Sequence, residues 1–483
     1  MPSTRLGNDV IFCVHLSESI DELAKNRFIQ SLDNQLKNTW KIHDSEVCSS
    51  GICLHLLGAI ELDQNALSDI ESAFNSIDLD VLYFDSAKPK DAFRTKAISI
   101  LRPMWSPERF LQNCYLGNLI AVNSGRVNMT SDSTVWDIIW ENRIGLSQLV
   151  IGTEVNSTDS SQIRSHQQWV KNWFAQNRPT VKFDSDGLES AKYSKLAPNR
   201  VSIIIPTRGQ LNLRTGTPLV LEAVQSTVSQ NLLEIDFELI IVYDNDVDIS
   251  YLDKLKDIVG EKLKLKLVPY TPPFNFSKKC NVGAKNASGD VLVFLNDDTE
   301  WISPDGLLEL TGQATLKQVG AVGAKLYFEN DLIQHAGIFT LGGNVGHAYF
   351  KEHNAPQEFG DLTITHEVAG VTGACFVQRK SIWQEMNGWN EEFDNSYNDV
   401  DYCFRIREAG YSVLVANQVE LYHFESLTRD ATLSLTTKSK LTSRWVNYLE
   451  NDQYFRQYVH SQITKVTNVT TLRKLKRIIR RFL

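Results

Sequence analysis

The sequence is short of the features that would make several functions easy to argue. Its 483 residues contain no run of about 18 apolar residues, so no segment reads as a membrane-spanning helix. The first residues, MPSTRLGNDVIFCVHL, lack a charged leader followed by a long apolar core. The expectation is therefore a cytoplasmic chain, neither secreted nor membrane-spanning. Seven cysteines are scattered without a CxxC pair or a His/Cys ligand spacing, which argues against structural zinc and for reduced thiols. There is no surplus of positive charge: a net charge of -9, spread over both halves, excludes a general nucleic-acid binder. Nor is there a Walker-type phosphate loop, which disfavours phosphoryl transfer.

What is present is enough apolar material, 42% of residues, to bury more than one core, and the length calls for two or three domains. The polar, aperiodic segment KFDSDGLESAKYSKLAPNR precedes the apolar run VSIII, placing a boundary between about residues 185 and 199. Beyond it, helix-like stretches alternate with the runs VSIII, FELIIVY, KLKLVPY, DVLVFL and VGAVGAKLY. That alternation predicts an α/β domain with a mostly parallel sheet, in which ligands sit outside the carboxyl ends of the strands. The residues following those runs are Pro206, Thr207 and Arg208, then Asp244, Asn245 and Asp246, then Asn296, Asp297 and Asp298. Carboxylates gathered on one edge suit a hard divalent cation that bridges protein to a diphosphate. By their own sequence Asp297 and Asp298 serve a turn or a helix cap equally well.

Seven ordered motifs shift that balance: VSIIIPTRG, ELIIVYDND, NFSKKCNVGAKNASGDVLVFLNDDTEW, VGAVGAKLYFENDLIQHAGI, VTGACFVQRKSIW, GWNEEFDNSYNDVDYCFRIREAGYSV and LYHFESLTR. Together they resemble the family 2 glycosyltransferases of GT-A fold, in particular bacterial enzymes of O-antigen and cell-surface polysaccharide synthesis such as rhamnosyltransferases. The resemblance covers roughly residues 199 to 430 and implies a Rossmann-like, mostly parallel sheet. It implies an inverting transfer of a sugar from a nucleotide donor, a uridine- or deoxythymidine-linked sugar by family habit, to a saccharide hydroxyl. Pro206, Thr207 and Arg208 match the loop around the base, Asp244 the carboxylate that hydrogen-bonds a pyrimidine, and Asn281 and Gly283 the segment lining the nucleotide crevice. The triplet Asn296-Asp297-Asp298 is similar to the family's Asp-x-Asp motif, with Asp297 toward the nucleotide sugar and Asp298 as ligand of Mg²⁺ or Mn²⁺. Asn296 departs from that motif by lacking the first charge. His423 matches the late histidine that helps hold metal or diphosphate. Asp399 matches the catalytic base, with Asp401 as competitor; on residues alone, NDVD also reads as a helix cap. Arg405 and Arg429 read as surface arginines with an outside claim as helpers, Trp389 as packing or an acceptor-sugar floor, and His335 and His347 carry no assigned role.

Residues 1–190 are expected to form a degenerate GT-A-like domain serving acceptor binding or assembly. The strand VLYF there ends on Asp85, followed by Ser86 and by no nucleotide loop or second carboxylate. Residues 431–483 are expected to be a helical extension. Its end, TLRKLKRIIRRFL, places Leu472, Leu475, Ile479 and Phe482 on one helical face among six basic residues. Such a helix suits peripheral contact with anionic lipid, in keeping with an acceptor on a lipid carrier at the inner face of the membrane, and equally well a packing helix with a solvated basic side. The competing expectation for the whole chain is a catalytically silent carbohydrate-binding or scaffold subunit.

Overall fold

The computed structural model describes residues 11–454 apart from 18–19, 36–38, 43–50, 89–97, 128–132, 155–159, 186, 233–234, 247–248, 272, 356, 358 and 425–434. Arg429 and the basic end at 472–483 thus lie outside the described residues. Chain contacts divide the molecule between Arg178 and Pro179 into two compact units. The division precedes the expected linker because the Tyr193 and Ser194 N–H groups donate to the Glu309 carboxylate at 2.8 and 3.2 Å, tying that stretch to the second unit.

The first unit is a mixed sheet in the order Thr39–Ile42, Ile11–Leu16, Ile52–Leu56, Leu119–Asn123, Val81–Lys88, Ile144–Glu154, Ile60–Leu62, with Ile98–Ile100 beside Val81–Lys88. Its core joins Phe12, Val14, Leu54, Leu82 and Phe84 from strands to Phe28, Ile70 and Phe74 from helices. Asp85 is wholly buried, and its Oδ1 accepts the Arg102 N–H at 2.9 Å, while the Arg102 guanidinium donates to Phe84 O and Ser86 Oγ and pairs with Glu154. Cys53 is disulfide-bonded, contrary to the expectation of reduced thiols throughout; residue spacing gives no sign of such a pairing. Among the described residues, Cys114, Cys280, Cys375 and Cys403 carry free thiols.

The second unit begins with β1 (Arg200–Thr207), α1 (Leu219–Val228), β2 (Asp236–Asp244), α2 (Tyr251–Val259), β3 (Lys264–Tyr270), α3 (Phe276–Asn286) and β4 (Val291–Leu295). These strands pair in parallel, β3-β2-β1-β4, with the apolar cores of β1, β2 and β4 buried and β3 the half-exposed edge. After β5 (Thr299–Trp301) and α4 (Gly306–Ala314) come β6 (Val319–Tyr327), β7 (Ile333–His335), the β8–β9 hairpin (Ile338–Leu341, Asn344–His347) and β10 (Thr365–Glu367). β11 (Cys375–Arg379), α5 (Lys380–Glu385), α6 (Asn398–Glu408), β12 (Ser412–His423) and α7 (Leu435–Glu450) complete it. The sheet continues β4-β11-β6-β12-β5, now largely antiparallel, with β7 on β6 and β10 on β12. The fold is thus mixed α/β, Rossmann-like through its first half. Gly283 lets α3 lie close on that half: a Cβ there would stand 2.3 Å from Ile204 Cγ2 and 3.2 Å from Val242 Cγ2. α7 packs Leu441, Trp445 and Leu449 against Val400 and Phe404 of α6, so it is part of this unit's core.

Candidate functional site

The site is built from the ends of β1, β2, β4 and β12 and the start of α6. At the end of β1, the Thr207 hydroxyl donates to Asp297 Oδ2 at 2.5 Å and accepts the Gly209 N–H at 2.9 Å. At the end of β2, Asp244 is fully buried, with Lys279 Nζ 2.7 Å from Oδ1 and Arg208 Nε 3.0 Å from Oδ2. Lys279 Nζ also donates to Thr207 O at 2.6 Å, so one cation from α3 joins the first two strand ends. Lys279 itself is fully buried; burial pulls its ammonium below the ordinary lysine range, against the opposing pull of Asp244. Pro206 lies beside Val242 in the β1–β2 register and orients the turn rather than offering a polar group.

At the end of β4 the chain places Asn296, Asp297 and Asp298 in succession. Burial, and then the neighbouring charge of Asp298, push the Asp297 carboxyl up to about 7. His423, the last residue of β12, has Nε2 3.1 Å from Asp298 Oδ1 and 3.1 Å from Asn296 Nδ2. Its Nδ1 lies 2.6 Å from Gln334 Oε1, an acceptor, which assigns the proton to Nδ1 and leaves Nε2 as an acceptor that takes the Asn296 amide N–H beside the Asp298 carboxylate. A metal-ligating histidine is commonly oriented in this way, its second nitrogen donating to a neighbour. Asn296 Oδ1 is buried without a hydrogen-bond partner. An imidazole lone pair, a carboxylate and an orphaned amide oxygen together fit a hard or borderline dication. Among the described residues no group of three or more His, Cys, Asp or Glu side chains is arranged to hold a metal ion. The protein thus offers a partial ligand set, of the kind that Mg²⁺ or Mn²⁺ completes with water and substrate phosphates.

Asp399 stands in the first turn of α6, where helix dipoles favour negative charge. The helix is entered through Tyr397 at φ 59°, with no side-chain cap, so Asp399 is not the cap that NDVD allows. Its Oδ2 accepts the Gly373 N–H at 3.1 Å and its Oδ1 the Val400 N–H at 2.9 Å. The same loop meets β4, since the Asn296 N–H donates to Ala374 O at 2.9 Å. Asp401, its competitor, is wholly buried, held by Arg405 Nε at 3.0 Å, Trp445 Nε1 at 2.9 Å and Arg444 at 3.3 Å. Arg405 is largely buried rather than a surface residue: it also donates to Met386 O and Gly388 O and covers the Tyr402 ring.

Asn281, an expected binding residue, is engaged elsewhere, and Trp389 takes the packing alternative. Asn281 donates to Trp389 O at 2.9 Å and Glu391 Oε1 at 3.2 Å and accepts from the Trp389 N–H and Trp383 Nε1, so its amide fastens a loop rather than facing the strand ends. Trp389 is 2% exposed and stacks on Tyr402 at 4.7 Å with Phe294 and Phe376 against its edges; it is core and no sugar floor. Lys279 and Gln334, in turn, were not singled out from the sequence. Their signal was position alone: one lysine of a KK pair on the face of α3 toward the sheet, and a glutamine beside a histidine in a short strand.

Parallel strands thus deliver a threonine, a buried aspartate and an Asp-Asp pair to one edge, the end of an open α/β sheet at which ligands bind. A family model described as "Glycosyltransferase like family 2" matches residues 198–447, just over half of the chain, and the protein belongs to that family. Among curated relatives, the O-antigen biosynthesis protein RfbC of Myxococcus xanthus is 32% identical over 252 residues, 50% of this chain and 20% of the relative. A protein of Sinorhizobium fredii designated y4gI is 36% identical over 234 residues, 47% of this chain and 25% of the relative. The match thus spans a quarter or less of the length of these relatives. Solved structures with a similar arrangement include the mannosyltransferase PcManGT of Pyrobaculum calidifontis with GDP-Man and Mn²⁺, at 14% identity, TM-score 0.39, over 66% of this chain and 88% of that one. GalNAc-T7 with UDP, GalNAc and Mn²⁺ aligns at 13% identity, TM-score 0.38, over 47% of this chain and 44% of that one.

Proposed function

We propose that the protein is an inverting, metal-dependent glycosyltransferase that moves a sugar from a nucleotide donor to a saccharide hydroxyl, the acceptor being carried on a lipid in cell-surface polysaccharide or O-antigen synthesis. The observation that carries this reading is the Asp298–His423 contact beside the Thr207–Lys279–Asp244 floor, with Asp399 linked to the same strand end through residues 373–374. Pro206, Thr207, Arg208 and Asp244 hold the base end of the donor, and Asp297 the sugar or diphosphate. Asp298 and His423 hold Mg²⁺ or Mn²⁺, which when bound neutralises charge on the leaving diphosphate. Asp399 takes the proton from the acceptor hydroxyl as the new C–O bond forms at the anomeric carbon; the old C–O bond breaks, its electron pair leaving with the diphosphate. Each Asp399 oxygen holds one backbone N–H, which fixes the carboxylate while leaving lone pairs for the acceptor.

The relation to an O-antigen protein supports the pathway class. No helix among the described residues is long and apolar enough to cross a membrane, so we assign lipid contact to the basic segment 472–483, working at the cytoplasmic face. We read the first unit as serving acceptor binding or assembly, since Asp85 is buried in a network with Arg102 and no metal-holding cluster occurs among the described residues. The test is nucleotide release from a panel of UDP-, dTDP- and GDP-sugars with Mn²⁺ or Mg²⁺. One donor should turn over slowly, with Asp298→Ala losing metal-dependent binding and Asp399→Asn retaining binding but losing at least about 100-fold in rate. Absence of turnover and of metal-dependent nucleotide binding across the panel would reassign the protein as a silent carbohydrate-binding subunit.

A further inference from the structure

The three-residue strand β7 supplies partners to both halves of the site. Against β6, Ile333 faces Tyr327 and His335 faces Leu326, so the register shifts and Gln334 is an extra residue. A β-bulge of this kind breaks the alternation of side chains and re-aims them. Consecutive residues can then both serve the same region: Gln334 orients His423, as described, and His335 turns to the loop whose Gly373 N–H donates to Asp399.

His335 is 1% exposed. Its Nε2 accepts the Gly337 N–H at 3.3 Å and the Thr372 N–H at 3.4 Å. With two donors on Nε2 the proton must sit on Nδ1, which lies 2.7 Å from His347 Nδ1. The next peptide N–H along the loop, that of Gly373, donates to Asp399 Oδ2, and the carbonyl after it, Ala374 O, receives the Asn296 N–H. The segment 372–374 is therefore fixed at successive backbone groups by the buried imidazole, the Asp399 carboxylate and the Asn-Asp-Asp strand end. Burial favours the neutral ring this geometry demands, holding His335 well below the ordinary histidine range, with the neighbouring His347 and His423 adding to it.

We infer that His335, held in one tautomer by His347, is a positioning residue that sets Asp399 against the acceptor through the Thr372–Gly373 peptide. This rests on the reading of Asp399 as the base. His335 touches neither donor nor metal in that reading, so its loss acts on the rate with acceptor-side geometry disturbed and on donor binding little. Displacements of about 1 Å in a catalytic group cost on the order of 100-fold.

The experiment compares His335→Phe, His335→Gln, His347→Phe and Asp399→Asn in the full chain, using nucleotide release from the donor found in the panel. Affinity for the matching nucleoside diphosphate with Mn²⁺ and the urea midpoint are measured alongside. His335→Phe should lower kcat about 10- to 100-fold with donor KM and nucleotide affinity within threefold. His335→Gln, whose Oε1 can take the place of Nε2 as acceptor, should recover most of the loss. His347→Phe, at a half-buried position, should lower kcat severalfold and keeps the test open if His335→Phe fails to fold. The inference is overturned if Asp399→Asn abolishes turnover while His335→Phe and His347→Phe leave kcat unchanged, if Gln is no better than Phe, or if kcat and nucleotide affinity fall together. Retained turnover in Asp399→Asn, or none in the wild type, would instead sink the reading on which it rests.

Discussion

The ammonium of Lys279 has no solvent contact and stands between Asp244 and the Thr207 carbonyl. Removing one member of a buried ion pair leaves the other uncompensated, which costs about 3 kcal/mol or more. Lys279→Met should therefore lower the urea unfolding free energy by about that amount and weaken nucleotide binding, because Arg208, 45% exposed in its side chain, is then the only cation on Asp244 among the described contacts. An unchanged unfolding free energy would show that Asp244 is satisfied without it. At this scale the sequence is legible in the placement of the strand-end carboxylates: Asp244, Asp297 and Asp298 fall where the apolar runs end. It is illegible where the same residue type has two uses. Asn281 and Trp389 sit in motif positions, yet the amide of one is bonded to the backbone of the other and the indole packs against Tyr402, Phe294 and Phe376. Asp399 and Asp401 are two residues apart, and only packing of Trp445 and Arg405 on the second separates a buried anchor from a carboxylate at the helix start.

Elements fix the heights at which those residues meet. Glu238, in β2, accepts from Ser202 of β1, from the Ser288 N–H ahead of β4, and pairs with Lys266 of β3 at 2.7 Å, so one carboxylate ties four consecutive segments of the parallel sheet. Burial alone would raise its pKa, but Lys266 and the Ser202 and Ser288 donors outweigh it and bring it down to about 2. A carboxyl depressed in the folded state stabilises above its unfolded pKa, and that stability is lost as pH falls from about 4.5 toward 2. Glu238→Gln should thus cost about 2 kcal/mol at pH 7 and much less near pH 3, read as a converging pair of thermal melts. Equal losses at both pH values would mean that shape, not charge, is what Glu238 contributes. Gly283 gives a second check on the same sheet. Its replacement by Ala puts a methyl into Ile204 and should cost about 1–3 kcal/mol in thermal or urea unfolding. The strands themselves were plain in the sequence from their β-branched runs. The antiparallel second half and the β7 bulge were not, because short runs such as Ile333–His335 carry no periodicity to read.

For the whole molecule, each unit has its own core, one gathered around Phe12, Phe28 and Leu54, the other around Ile204, Phe294 and Phe376. A chain of residues 179–483 should therefore fold and keep metal-dependent nucleotide binding within about threefold of the full protein, by calorimetry. Loss of binding in a folded fragment would place part of the donor site in the first unit. The motif series located the second unit but set its end too early, since α7 lies beyond the last motif and yet fills the core beside α6.

That helix bears on how such a module can be cut and moved. Trp445 and Arg444 contribute two of the three side chains around the buried charge of Asp401. A portable version trimmed at the last histidine motif would retain every residue assigned to chemistry and still lose the buttress under the helix that presents Asp399. The smallest transplantable unit is therefore set by a tryptophan with no part in the reaction, and chimeras joined upstream of residue 450 should fail by loosening that helix rather than by losing donor recognition.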